Sequence, residues 1–222
     1  MKKQSTLAWR LPATDLRFSI VILLGIGIFF RFVNLDRKNY SGDEIMTSLR
    51  ISGYTLTEMQ QQLLNGRVIN PEYLQKYQSP NLEKSAIDTI KGLALEESQV
   101  VPLYFVIVRF WAGWFGNSLA VMRSLSAFIS VLAFPCLYWL CLELFESSLT
   151  GWIAIALTAI SPVHLLYAQE ARPYSLWILI TILSSAVLLR TLRVQTRVSW
   201  SFYAATVSLG LYTHLFFALV AI

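Results

Sequence analysis

Two short stretches hold the residues best suited to chemistry. "YSGDEIM", Tyr40 to Met46, sets Asp43 beside Glu44, and "SPVHLLYAQEARPYSL", Ser161 to Leu176, sets Glu170 two residues before Arg172. A carboxylate of this kind can take the proton from a hydroxyl as a general base. A guanidinium grips phosphate oxygens through paired hydrogen bonds. Each stretch also has a plainer reading. Ser41 to Glu44 fits a capping box, with acids where a helix N-terminus favours them. Glu170 and Arg172 fit an interfacial pair with snorkelling side chains. Capping and catalysis can coexist at one turn. His164 and His214 lie singly near the ends of apolar runs with no zinc-like spacing, and Glu96-Glu97 reads as a solvated face.

The elements that must position these residues are set by hydropathy. Of the 222 residues 55% are hydrophobic and only 14% charged, against about 25% charged in soluble domains. A bilayer core of about 30 Å needs roughly 20 apolar residues per helical crossing. The runs predict an all-α, polytopic helical membrane protein with five spans, about 16–35, 122–142, 149–168, 173–190 and 198–214, and the start of a sixth. The first run is longer than a signal-peptide core and lacks an A-x-A-like site after it, so it reads as a retained anchor. The final "HLFFALVAI" ends within apolar sequence, which suggests the N-terminal piece of a larger protein. Cys136 and Cys141 fall about 140° apart on one predicted helix and read as apolar core residues.

Basic residues favour the cytoplasmic side. Lys2, Lys3, Arg10 and Arg17 precede the first span, and Arg190, Arg193 and Arg197 separate the fourth from the fifth. Both clusters fall inside if residues 36–101, the "QEARP" hairpin and Tyr212–His214 face outward. A single helix from Leu149 to Leu189 would run about 60 Å, twice the hydrocarbon thickness. Glu170 and Arg172 are its only full charges. A charge at mid-bilayer costs about 3 kcal/mol, so the chain must fold back there, with Pro162 and Pro173 breaking the helices.

The long outer loop is expected to carry surface helices. One starts near Glu44, with Ile45, Leu49 and Leu56 on one side and Gly53 interrupting. Another covers Leu82–Leu95, with Ala86, Ile87, Ile90, Leu93 and Ala94 at helical spacing, to pack on the protein or lie on the bilayer. Val100–Gly116, broken by Arg109, predicts a re-entrant or surface-lying helix. The polar outliers thus collect on one side of the membrane. Acids beside an anion-binding base at that surface suit chemistry on a phosphate-bearing lipid.

Four stretches in order resemble the GT-C superfamily of membrane glycosyltransferases, and within it the family 39, protein-mannosyltransferase-like bacterial enzymes. They are "GDE" at Gly42–Glu44, "PLYF" at Pro102–Phe105, "SPVHLLYAQEARPYSL" and "LYTHLF" at Leu211–Phe216. The resemblance implies an inverting hexosyl- or mannosyltransferase-like enzyme, integral to an inner or plasma membrane. It would move a sugar from a polyprenyl-phosphate donor to a hydroxyl on a lipid, glycan or protein acceptor at the extracytoplasmic face. Asp43 would be the base and Glu44 its support. Arg172 would stabilise the phosphate leaving group, with Glu170 orienting it and Tyr167 and Tyr174 lining the pocket. Pro102, Tyr104 and His214 are further pocket candidates. The resemblance implies no metal ligands and no required cofactor, although a divalent metal is compatible with such a site, and no nucleic-acid partner. Two departures stand out. Val100-Val101 precede Pro102 where relatives carry His or Lys before a Pro pair, and the family is about twice this length. The rivals are a transporter or channel subunit, against which the one-sided charges and lack of repeats speak, and an inactive glycosyltransferase fragment.

Overall fold

A computed structural model describes residues 14–221 except 65, 67 and 82. Lys2, Lys3 and Arg10 of the N-terminal basic cluster, Leu82 and the final Ile222 lie outside the described residues. Among the described residues all regular structure is helical. α1 spans Thr14–Phe32, and Asn34, at φ 55°, turns the chain out of it. α2, Gly42–Ser52, opens on a capping box in which the Ser41 hydroxyl and the Glu44 carboxylate satisfy each other's backbone N–H. It stops at Gly53, whose φ of 87° and position 2.6 Å from Lys84 Cβ (measured from an ideal Cβ) leave no room for a side chain. α3, Leu56–Leu63, and α4, Ala86–Glu96, start on capping boxes at Thr55 and Ser85. A 3-10 segment, Pro71–Tyr77, lies between them.

The apolar helices follow. α5 covers Leu103–Phe115, α6 Leu119–Phe145, α7 Ser148–Ile160, α8 Pro162–Ala168, α9 Tyr174–Val194 and α10 Arg197–Leu211. A 3-10 turn and the short α11, Ala218–Ala221, close the described chain. Two of these helices, α6 and α9, are long and apolar enough to cross a bilayer. α7 and α8 form a third crossing if they are one span bent by 63°. α1 carries Asp15, Arg17 and Arg31 within its 19 residues, and α10 has only 15. Large apolar side chains such as Phe18, Phe29, Leu157 and Phe202 point outward, as a lipid-facing surface would have them.

α6 is the hub, with α1, α5, α7, α8 and α9 packed on it and α10 against α9. One end of the bundle is fixed by Glu143 near the end of α6. It accepts from Trp139 and lies 3.8 Å from Arg190 and 3.6 Å from Arg193 at the end of α9. The 143–150 connection and the 190–197 connection therefore share an end, as charge alternation requires. At the opposite end the start of α6, the end of α8 and the start of α9 meet the residues after α1, and the end of α10 meets α5 and α9. A core of Ile51, Leu93, Tyr104, Phe105, Val108, Met122, Leu125 and Leu176 runs from the loop helices through α5 into the bundle.

The kink between α7 and α8 follows from Ser161-Pro162. Pro162 has no N–H to give, and Ser161 is extended at φ −63°, ψ 123°. The carbonyls left at the end of α7 are collected by Arg31, which donates to Ala159 O at 2.7 Å and Thr158 O at 3.2 Å. It also donates to Gly27 O at 2.8 Å and Ser130 Oγ at 3.0 Å. The crossing of α1 and α7 is close enough that a Cβ on Gly27 would collide with the Ala159 carbonyl.

Three loop expectations change in detail. α4 forms, but Thr89, Gly92 and Leu93 face inward while Ile87 and Ile90 are exposed. α2 buries Glu44, Thr47, Ser48, Leu49 and Arg50 and leaves Ile45 outside. The cause is Arg50. Its fully buried guanidinium binds Glu96 at 2.6 Å and Glu97 at 3.0 Å, and Thr89 donates to its carbonyl. A buried charge must be paired, so the polar faces turn inward, and Glu96-Glu97 is an ion-pair anchor rather than a solvated face. α5 is the expected short helix before α6. Its Arg109 is turned away from any bilayer, donating to the carbonyls of Ile51, Asn81 and Lys84.

Gly27→Val should therefore force α1 off α7. We expect a loss of about 2 kcal/mol, read as a lower thermal midpoint in detergent, while Gly25→Val, whose Cβ meets nothing, leaves the midpoint within a degree or so.

Candidate functional site

The residues singled out in the sequence converge at the bundle end that carries the loop. The organising group is Arg123, in the first turns of α6 and fully buried. It makes a two-pronged pair with Glu44, Nε to Oε1 at 2.8 Å and Nη2 to Oε2 at 2.7 Å. Its remaining donors reach the carbonyls of Leu35, Lys38 and Asn39 at 2.6 to 3.0 Å. Glu44 completes its shell with the Ala171 N–H at 3.0 Å and the Ser41 N–H at 3.3 Å. Three segments distant in sequence, the stretch from Leu35 to Glu44, the start of α6 and the "QEARP" hairpin, are thus tied to one ion pair.

Both Glu44 oxygens are occupied and the side chain is shut off from solvent. That geometry gives Glu44 a positioning part. Burial pushes its carboxyl upward, but the hydrogen bonds from Arg123, Ala171 and Ser41 outweigh this and hold it below the ordinary range.

Asp43 is the opposite case. One residue earlier on the first turn of α2, its side chain is 68% exposed, and its Oδ2 lies 3.8 Å from Arg172 Nη2. Arg172 Nη1 also donates to the Asp43 carbonyl at 3.3 Å. Arg172 is largely buried, its Nε has no hydrogen-bond partner, and its guanidinium lies 5.9 Å from the Tyr174 ring. Tyr174 in turn packs on Tyr167 with ring centres 4.7 Å apart. On its other side Arg172 lines a small cleft of about 60 Å³, shared with Gln99, Val101, Tyr174, Thr213 and His214.

The remaining candidates fall around this centre in different ways. The Glu170 carboxylate turns to Lys38, 3.0 Å away, and only its carbonyl meets Arg172, through the Arg172 N–H at 2.8 Å. Tyr104 is fully buried with its hydroxyl 2.6 Å from Ser126 Oγ, beneath the site rather than in the cleft. Pro102 caps α5, and the Leu103 N–H after it bonds to Tyr212 O at 3.1 Å. That bond brings Gln99–Val101 opposite His214. His164 sits on α8. Among the described residues no three His, Cys, Asp or Glu side chains gather to hold a metal. Arg123, Lys38, Gln99 and Thr213 were not singled out by sequence reasoning. For Arg123 the signal was present, a lone charge at the outer edge of an apolar run.

No family model matches this chain, and no curated protein or solved structure is similar to it above the level of chance.

Glu44→Gln leaves Arg123 buried against an uncharged partner, and a broken buried pair costs about 3–5 kcal/mol. The variant should unfold in detergent at markedly lower temperature than Asp43→Asn, which touches only a surface acid. A second outcome concerns acid. Burial works against the Glu96 charge, but bonds from the Thr57 and Leu56 N–H groups and Arg50 hold the carboxyl down at about 2. Because the folded value is depressed, the stabilisation is complete above the unfolded value of about 4.3 and is lost as pH falls towards 2. Glu96→Gln should flatten that acid limb in a stability-versus-pH series.

Proposed function

We propose that the chain is part of a membrane-embedded glycosyltransferase acting at a phosphate-bearing polyprenyl lipid. The observation that carries this reading is the pairing of an exposed acid, Asp43, with a largely buried arginine, Arg172, beside a cleft. Both sit at the bundle end where the surface loop meets the apolar helices. In this reading α1, α6, α7 with α8, α9 and α10 make five crossings of an inner or plasma membrane, and the site opens on the extracytoplasmic face. The likeness of four motifs to the family 39 enzymes points the same way.

The chemistry then follows from charge. The acceptor hydroxyl oxygen attacks the anomeric carbon while the bond from that carbon to the phosphate oxygen breaks, and the phosphate leaves with the electron pair. Asp43, reachable from solvent, takes the hydroxyl proton. Arg172 neutralises the charge gathering on the phosphate, from a site where low dielectric strengthens the attraction. The bare N-terminus of α9, which has no side-chain cap, adds N–H groups of the same polarity. Glu44 and Arg123 hold the turn that carries Asp43, and the Lys38–Glu170 pair fastens the hairpin that carries Arg172. The Asp43–Arg172 contact at 3.8 Å is long enough for a donor phosphate to replace the carboxylate on the guanidinium.

The broken α7–α8 helix is the feature that favours a transporter, since such breaks hold ions in those proteins. Here Arg31 already binds the Ala159 and Thr158 carbonyls at the break, which puts a fixed positive charge where a transported cation would have to sit.

In the full-length protein, Asp43→Asn should lower sugar transfer from a polyprenyl-phosphate donor by at least a hundredfold, with the fold intact by thermal unfolding; normal turnover by that variant removes Asp43 as base. Single cysteines at positions 43 and 172 should both react with an impermeant maleimide added to intact cells. Reaction of the two from opposite sides of the membrane ends the shared-site reading.

A further inference from the structure

The cleft beside Arg172 has a second polar wall. His214, in the turn after α10, is stacked on Trp177 of α9 with ring centres 4.3 Å apart and planes 13° from parallel. Its Nδ1 accepts the Phe216 N–H at 3.2 Å, which starts the 3-10 turn Leu215–Phe217. A ring nitrogen that accepts a backbone N–H carries no proton, so in the neutral imidazole the proton sits on Nε2. Among the described residues Nε2 has no hydrogen-bond partner. The stack on Trp177 and the cap on Phe216 together fix the ring plane and the tautomer.

We propose that His214 is an anion-binding residue of this cleft, presenting a neutral Nε2–H donor to a phosphate oxygen held at the same time by Arg172. The inference rests on the phosphate reading of the cleft given above. The division of labour is physical. Arg172 brings permanent charge, and its unpartnered Nε marks unused donor capacity. His214 brings direction without a second cation, so it adds a hydrogen bond without like-charge repulsion against the guanidinium. Thr213 and Gln99 to Val101 close the remaining sides. Val100-Val101 bring no charged side chain to that wall, so the only cationic group among the lining residues is Arg172.

Two conservative substitutions separate this role from the structural one. Asn places its side-chain oxygen near the Nδ1 position, so His214→Asn keeps the cap on Phe216 and loses the distal donor. Gln places its amide nitrogen near the Nε2 position, so His214→Gln keeps the donor and weakens the cap. Each protein, as the full chain in detergent, is titrated at pH 8, where an imidazole is neutral, with farnesyl phosphate and separately with inorganic phosphate. Thermal unfolding without ligand is recorded in parallel. His214→Asn should bind farnesyl phosphate about tenfold or more weakly than the wild type, the size expected for one hydrogen bond to a charged group, with an unchanged midpoint. His214→Gln should stay within about threefold, and Arg172→Met should lose binding. Equal binding by wild type and His214→Asn, or a Gln variant that loses binding while Asn keeps it, overturns the role of His214 and leaves the phosphate site standing. Failure of the wild type to bind either phosphate overturns both. Binding of farnesyl phosphate alone identifies a lipid headgroup, and equal binding of both identifies a site for the free anion.

Discussion

The structure at the loop-bearing end hangs on one buried ion pair. Arg123 and Glu44 exclude water from each other, and the desolvation this requires is offset only because every donor and acceptor around them is used. Arg123 spends its donors on two carboxylate oxygens and three carbonyls, and Glu44 receives two further N–H groups. The demand for complete pairing leaves one arrangement of three chain segments. A hydrophobic contact of the same area would tolerate sliding; this set of hydrogen bonds does not. The consequence for chemistry is that Asp43 and Arg172 are placed by a rigid neighbour rather than by their own weak contact.

The loop repeats the principle on a smaller scale. Arg50 with Glu96 and Glu97, and Arg109 with three carbonyls, tie the loop helices together around Ile51 and Leu93. Guanidinium groups act there as cross-links among short helices that are not joined to one another by backbone hydrogen bonds of regular structure. Arg31 does the same work within the bundle, where a proline break leaves carbonyls that lipid could not satisfy. Four arginines thus hold the junctions, and the apolar helices supply bulk between them.

Much of this was legible in the residue order. The turn at "QEARP" and the placing of Asp43 and Arg172 at one end of the bundle follow from hydropathy and the cost of a charge in hydrocarbon; their contact does not, since spacing alone says nothing of which groups at that end meet. The kink followed from Pro162. The partners of the buried arginines did not. Arg123 and Glu44 are 79 residues apart, and an arginine at the edge of an apolar run looks like any interfacial residue. The helical stripe on α4 misled about its inward face, because periodicity reports which side is apolar, not which side has an unpaired charge waiting for it. The carboxylate of Glu170 was similarly read as a neighbour of Arg172, two residues away, when Lys38 was the better-placed cation.

The stitch between Arg31 and the α7 carbonyls has a bearing on biogenesis. Arg31 and Ala159 are separated by 128 residues. At a synthesis rate of roughly 5–20 residues per second, α1 leaves the ribosome on the order of ten seconds before the segment that satisfies its guanidinium. For a bilayer-embedded chain, that interval has to be spent with the arginine still in contact with water or with the insertion machinery, because lipid offers it nothing. In the five-crossing reading proposed above, release of α1 into the membrane is coupled to the arrival of the bent α7–α8 segment, and α1 is seated late although it is made early.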